Sequence, residues 1–140
     1  MMNLKNLIFS KEKVRFKADE TIFNEEDEGK EMYFIDSGRV KIIKKVGDAE
    51  GVLAVLNPGD FFGEMALITG NKRTATAIAL SDCKLRIMNK ETFDSNLLND
   101  REFMRQIVET LARRLEETDL NLKRYVQRVL RLSHVFKIYG

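Results

Sequence analysis

The sequence predicts a mainly β protein that ends in helix: short strands forming a sandwich, jelly roll or barrel, followed by one long C-terminal helix. Three observations carry this reading. Seven of the eight glycines and the only proline, Pro58, fall between Gly29 and Gly70. Short apolar runs broken by turn residues fill the stretch from Val14 to Met88, with a turn signal about every ten positions. After Asn89 glycine and proline vanish until Gly140, and the apolar spacing changes to that of a helix.

Each element follows from local pattern. "MYFIDSGRVKII" (Met32–Ile43) and "GVLAVLNPGDFFG" (Gly51–Gly63) are apolar runs interrupted by turn residues, and "TATAIAL" and "CKLRIMN" supply two further strands. Lys84-Leu85-Arg86-Ile87 alternates with period two, as in a strand with one buried face. Asp100 is placed to cap a helix that starts at Arg101. Beyond it Met104, Val108, Leu111, Leu115, Thr118, Leu122, Tyr125, Val129, Leu132 and Phe136 recur in steps of four and three. That is the 3.5-residue repeat of a coiled-coil seam. It predicts a homodimer through the Met104–Phe136 seam; the alternative is an amphipathic helix lying on its own β-domain. Phe103 and Ile107, in the first turns, are expected to pack on that β-domain.

Composition narrows the function classes. A chain of 140 residues with 44% hydrophobic and 33% charged residues reads as one globular domain. Its net charge of +2 is too small to argue for nucleic acid or a membrane surface. Cys83 is the only cysteine, which excludes an intrachain disulfide and suits a reducing compartment. No signal peptide is legible at the N-terminus, and no stretch approaches the ~20 apolar residues of a membrane span. The expectation is a cytoplasmic protein with no membrane contact.

The stretch "FFGEMALITGNKRTATA" (Phe61–Ala77) carries the chemistry. A short helix opening after Gly63 leaves the first-turn N–H groups of Met65 and Ala66 free to meet an anion. Arg73 returns an always-charged fork toward the same place after a turn at Gly70-Asn71, and Thr74 adds a hydroxyl. Glu64 cannot serve a phosphate, but it can accept hydrogen bonds from a sugar's hydroxyls. A ligand with both a phosphate and a free sugar hydroxyl would occupy both groups. The plainer reading is a surface ion pair between Glu64 and Arg73.

These residues resemble the phosphate-binding cassette of cyclic nucleotide-binding domains. The family pattern, F-G-E-apolar-small-L, a short turn, then R-(small or Thr)-A, is matched by Phe62, Gly63, Glu64, Met65, Ala66, Leu67, Arg73, Thr74 and Ala75. "MYFIDSGRVKI" and "LNPGDFFGE" are similar to the family's β-roll, and "LARRLEETD" (Leu111–Asp119) to the dimer helix of its bacterial regulators. The resemblance implies a double-stranded β-roll with short flanking helices over residues 1–100 and a long dimerisation helix of the same domain over 101–140. It implies that Arg73 pairs with the cyclic phosphate and Glu64 with the ribose 2′-OH. Gly63, the amides of Met65 and Ala66, Thr74 and Ala75 would complete the cradle. Leu53 and Ala54 would line the base pocket, and Arg114, Thr118 and Asp119 match positions that close over the base. Asp119 departs from the serine usual there.

Blander readings stand beside these. Thr118 is the polar residue that sets register in a seam, and Arg114 with Asp119 has the spacing of an interchain salt bridge. The Met65 side chain reads as core. The sole histidine, His134, reads as an exposed helix-end residue. One histidine outside the strands does not suit a metal enzyme, and no nucleophile–histidine pair lies in the strand region. Lys123, Arg124, Arg128 and Arg131 read as a solvated helix face, or less readily as a surface for an acidic partner.

The expectation is therefore a cyclic nucleotide-binding sensor, not an enzyme, with no cofactor and no metal. Its ligand would be cyclic AMP, or alternatively cyclic GMP, and its signal would pass through the dimer helix to an unknown output protein. The other alternative is a β-roll interaction module whose site has become structural. With few residues after the seam, no DNA-reading helix-turn-helix is expected in this chain. It would be either a stand-alone sensor or a piece of a longer protein.

Overall fold

The computed structural model describes residues 13–136; in the last helix the side chains of Tyr125, Val129, Leu130 and residues 132–136 lie outside the description. The chain divides into two compact units at Asn99/Asp100.

The first unit is built from β1 (Lys13–Phe16), β2 (Thr21–Phe23), β3 (Glu31–Ser37), β4 (Val40–Val46), β5 (Ala49–Leu56), β6 (Phe61–Phe62), β7 (Thr76–Ala79) and β8 (Cys83–Asn89). Helix α1 (Glu64–Thr69) lies between β6 and β7, and α2 (Lys90–Asn99) follows β8. The strands form two four-stranded sheets, in the orders β1-β8-β3-β6 and β2-β7-β4-β5, and every pairing is antiparallel. This is the β-roll that the resemblance implies, where the turn spacing alone left sandwich, jelly roll and barrel open.

Alternation places the core. Tyr33 and Ile35 of β3, Val40 of β4, Ala77 and Ala79 of β7, and Leu85 of β8 project between the sheets and form one buried cluster. In the period-two run Lys84–Ile87, Leu85 is buried and Ile87 is partly buried against the core, while Lys84 and Arg86 are half-exposed. The run Met32–Ile43 is two strands, because Gly38 turns the chain with φ 87°. In β5 the register passes from Ile42↔Ala54 to Ile43↔Val52, so Leu53 is an extra, bulged residue.

The two ends of α1 are glycines in the left-handed region, Gly63 at φ 84° and Gly70 at φ 75°. A six-residue helix bounded in this way starts and stops within two turns. Helix α2 starts where the Asn89 side chain accepts from the Thr92 amide at 2.8 Å, an N-cap that the sequence reading did not single out.

The second unit is the helix α3 (Arg101–Phe136). Asp100 caps it as expected, its carboxylate accepting from the Phe103 amide at 3.0 Å. Phe103 and Ile107 are buried, whereas the seam residues Met104, Val108, Leu115 and Leu122 are exposed. Among the described residues no helix is long and apolar enough to cross a membrane. The side chains of Tyr125, Val129, Leu132 and Phe136, and His134, lie outside the described residues.

Candidate functional site

The segment from Phe61 to Ala77 folds as strand, short helix, turn and strand, which returns Arg73 to the start of α1. Glu64 and Arg73 are both buried, at 3% and 5% exposure, so neither belongs to a surface ion pair. Arg73 Nη1 donates to the Gly63 carbonyl at 2.6 Å, and Nη2 donates to the Glu31 carbonyl at 2.5 Å. Its Cζ lies 4.1 Å from the centroid of the Phe23 ring. Nε is buried without a hydrogen-bond partner among the described residues. Burial pulls the Arg73 pKa down, opposed by nearby Tyr33, Glu31, Glu64 and Asp27.

Two glycines make room for this arrangement. A Cβ on Gly63 would lie 2.9 Å from Arg73 Nη1. A Cβ on Gly29 would run into Ala66 Cβ and lie 3.1 Å from Arg73 Nε. Both approaches close only because no side chain is present at either position.

Backbone and side-chain bonds fix the returning loop. The Arg73 amide donates to the Asp27 carbonyl at 2.8 Å, and the Glu26 amide donates to the Arg73 carbonyl at 2.9 Å. Lys44 Nζ donates to the Thr74 carbonyl at 2.8 Å and pairs with Glu25 at 3.2 Å. The Glu25 amide in turn donates to Thr76 Oγ1 at 2.9 Å. Below Arg73, Tyr33 stacks on Phe62 at 5.2 Å and donates its hydroxyl to Glu31 Oε1 at 2.9 Å. Burial first, and that bond second, hold the phenol far above its ordinary pKa.

The structure brings Gly63, Glu64, Ala66 and Arg73 together, with the Met65 and Ala66 amides in the first turn of α1, where no earlier helical carbonyl can accept from them. Thr74 is exposed, and Ala75 is half-buried. The Met65 side chain is not core as expected: it is 53% exposed, because α1 turns only its Glu64, Ala66 and Leu67 inward. Leu53, at the bulge, is exposed, and Ala54 is half-buried. Arg114, Thr118 and Asp119 belong to the second unit. There Thr118 Oγ1 donates to the Arg114 carbonyl of its own helix at 2.9 Å, and Thr118 and Asp119 are exposed. Sequence reasoning missed Phe23, Gly29, Glu31 and Lys44; the glycine of "DEGKEM" was the one visible signal. Among the described residues no group of three or more His, Cys, Asp or Glu is placed to hold a metal ion.

A buried arginine thus returns to the glycine before a short helix that a buried glutamate opens. The profile of the cyclic nucleotide-binding domain family matches residues 13–100. The chain belongs to that family. This cyclic nucleotide-binding domain is 33% identical over 110 residues to the CRP-like cAMP-activated global transcriptional regulator of Mycobacterium tuberculosis, covering 78% of this chain and 49% of that one. It thus spans about half the length of that relative. The structure of the Thermus thermophilus catabolite activator protein matches with TM-score 0.74 and 31% identity, over 82% of this chain and 55% of that chain. The regulatory domain of Toxoplasma gondii PKA, crystallised with cAMP, matches with TM-score 0.58 and 32% identity, over 60% of this chain and 32% of that chain.

Proposed function

We propose that this domain is a cytoplasmic sensor rather than an enzyme, and that it takes cyclic AMP against the start of α1. The observation that carries this reading is Arg73, a buried cation whose Nε has no hydrogen-bond partner among the described residues, set beside the amides of a helix's first turn. Arg73, Thr74, Ala75, Gly63 and the amides of Met65 and Ala66 would face the phosphate. Glu64 would accept from the ribose 2′-OH. Leu53 and Ala54 would line the base. The cAMP named for the two relatives supports cyclic AMP as the first ligand. Cyclic GMP is the alternative, since the exposed Thr74 can also meet a purine.

A thermal-shift panel of cyclic AMP, cyclic GMP, linear AMP, 2′-deoxy cyclic AMP and a cyclic dinucleotide tests this. Ligand at 100 times its Kd adds about 2.7 kcal/mol, roughly 5–10 °C at ~2–4 °C per kcal/mol. Cyclic AMP should give the largest shift and linear AMP little. The 2′-deoxy analogue should bind more weakly by about 1–3 kcal/mol, because it leaves the buried Glu64 acceptor unmet. A larger shift with cyclic GMP reverses the ligand order. No shift with any of the five favours the second reading, a β-roll interaction module in which Arg73 only braces the Gly63 and Glu31 carbonyls.

The signal is proposed to leave through α3, paired with a second copy along Met104–Phe136 and passing to an output protein of unknown identity. The exposed apolar residues Met104, Val108, Leu115 and Leu122 support this pairing. Leu122→Asp with Val129→Asp buries charge in such a seam and should turn a dimer into monomers in sedimentation at about tens of micromolar. A wild type that sediments as a monomer at that concentration refutes the seam.

A further inference from the structure

Phe23 has no place in the cassette motif, yet its ring is the surface on which the Arg73 guanidinium lies. The 4.1 Å from Cζ to the ring centroid is well inside cation–π range. Ring and guanidinium are positioned by separate backbone contacts. Phe23 ends β2 opposite Ala77 of β7, while the Arg73 backbone is bonded to Glu26 and Asp27 in the loop that follows Phe23. A Cβ on Gly63 would meet Arg73 Nη1 at 2.9 Å and Phe23 Cε2 at 3.5 Å, so ring, guanidinium and the start of α1 are close neighbours. Tyr33 and Phe62, each with its ring centroid 6.0 Å from that of Phe23 and tilted to it, pack against the ring.

A guanidinium hydrogen-bonds through its edge and not through its faces. Here Nη1 and Nη2 are turned to backbone carbonyls, and the group is stripped of water. An aromatic face is what can stabilise the flat side of such a cation and fix its plane. Resting on the reading of Arg73 as the phosphate ligand, we propose that Phe23 is a positioning residue for the site: its ring holds the Arg73 fork in one plane, so that the fork meets the phosphate already oriented. Phe23 acts through Arg73, and its contribution vanishes when the guanidinium is gone.

The test is a double-mutant cycle read by titration calorimetry with cyclic AMP. Wild type, Phe23→Leu, Phe23→Tyr, Arg73→Gln and the Phe23→Leu/Arg73→Gln pair are compared, with Phe23→Met replacing Phe23→Leu should the latter not fold. Phe23→Leu should lower affinity about 5- to 30-fold, the range for a desolvated cation–π pair. Phe23→Tyr, which keeps the ring, should stay within about threefold of wild type. In the Arg73→Gln background the leucine should cost less than about twofold. An equal loss in both backgrounds, or a Phe23→Leu protein that binds like wild type, overturns the positioning role while leaving Arg73 in place. An Arg73→Gln protein that binds like wild type removes the reading on which the proposal rests, and the proposal with it.

Discussion

Arg73→Ala is expected to lower affinity for the proposed ligand, cyclic AMP, by about 2–5 kcal/mol, a loss of roughly 30- to 5,000-fold in Kd. The group removed is the one buried cation of the Phe61–Ala77 segment: its neighbour Lys72 is exposed, and Lys44 is tied to the Thr74 carbonyl and Glu25. The structure adds a second effect that the motif alone does not suggest. Arg73 bridges the carbonyls of Gly63 and Glu31, so alanine leaves both without that donor. The ligand-free variant should therefore also melt lower, by about 1–3 kcal/mol for acceptors left unsatisfied. Calorimetry with cyclic AMP and a thermal melt without ligand read the two effects separately. Unchanged affinity beside a lowered melting point would make Arg73 a brace and not a ligand group.

Gly38→Ala should cost the fold about 2–5 kcal/mol, the sum of left-handed strain and overpacking. Gly38 sits at φ 87° between β3 and β4. An added Cβ would collide with the Asp82 carbonyl and stand 2.7 Å from Cys83 Sγ and 2.9 Å from Cys83 Cα. Two of these atoms are backbone and cannot rotate away. Gly47→Ala is the matched control: it too has positive φ, 63°, but nothing lies within 4 Å of its Cβ position. That variant should lose only about 1–2 kcal/mol. In urea, Gly38→Ala should move the midpoint far more than Gly47→Ala at an unchanged slope. Equal midpoints would show that the β3–β4 turn relaxes around the new methyl.

What could be read in advance follows from where the information resides. Gly63, Glu64 and Arg73 were legible because each is chemically distinctive and their spacing is short. Their partners were not. Arg73 is held by the carbonyls of Gly63 and Glu31, and a carbonyl leaves no mark in a sequence. Phe23 looks like any strand residue until the register sets its ring under a guanidinium 50 positions later. Met65 was misjudged because six residues are too few for a helical period to show which side chains turn inward. Helix α2 was implied only as one of the short flanking helices and not located, because "KETFDSNLLN" buries only Phe93, and one buried position makes no stripe. By contrast, "CKLRIMN" was read with its observed bounds as β8, since strand alternation needs only a few residues to declare itself.

The pairing order of the strands also dictates when the roll can form during synthesis. Lys13–Phe16 pairs with Cys83–Arg86, and β2 pairs at Ala77 and Ile78, so both N-terminal strands wait for the far end of the unit. Only β4 and β5, joined at Val46↔Ala49, are neighbours in both chain and space. At ~5–20 residues per second, β1 and β2 spend roughly 3–14 s off the ribosome's active centre without their partners. Refolding of the intact chain should fall in the slow, millisecond-to-second regime of non-local β topologies. A chain released before Cys83 lacks the strand that joins β1 to β3, and its first sheet shrinks to β3 and the two residues of β6.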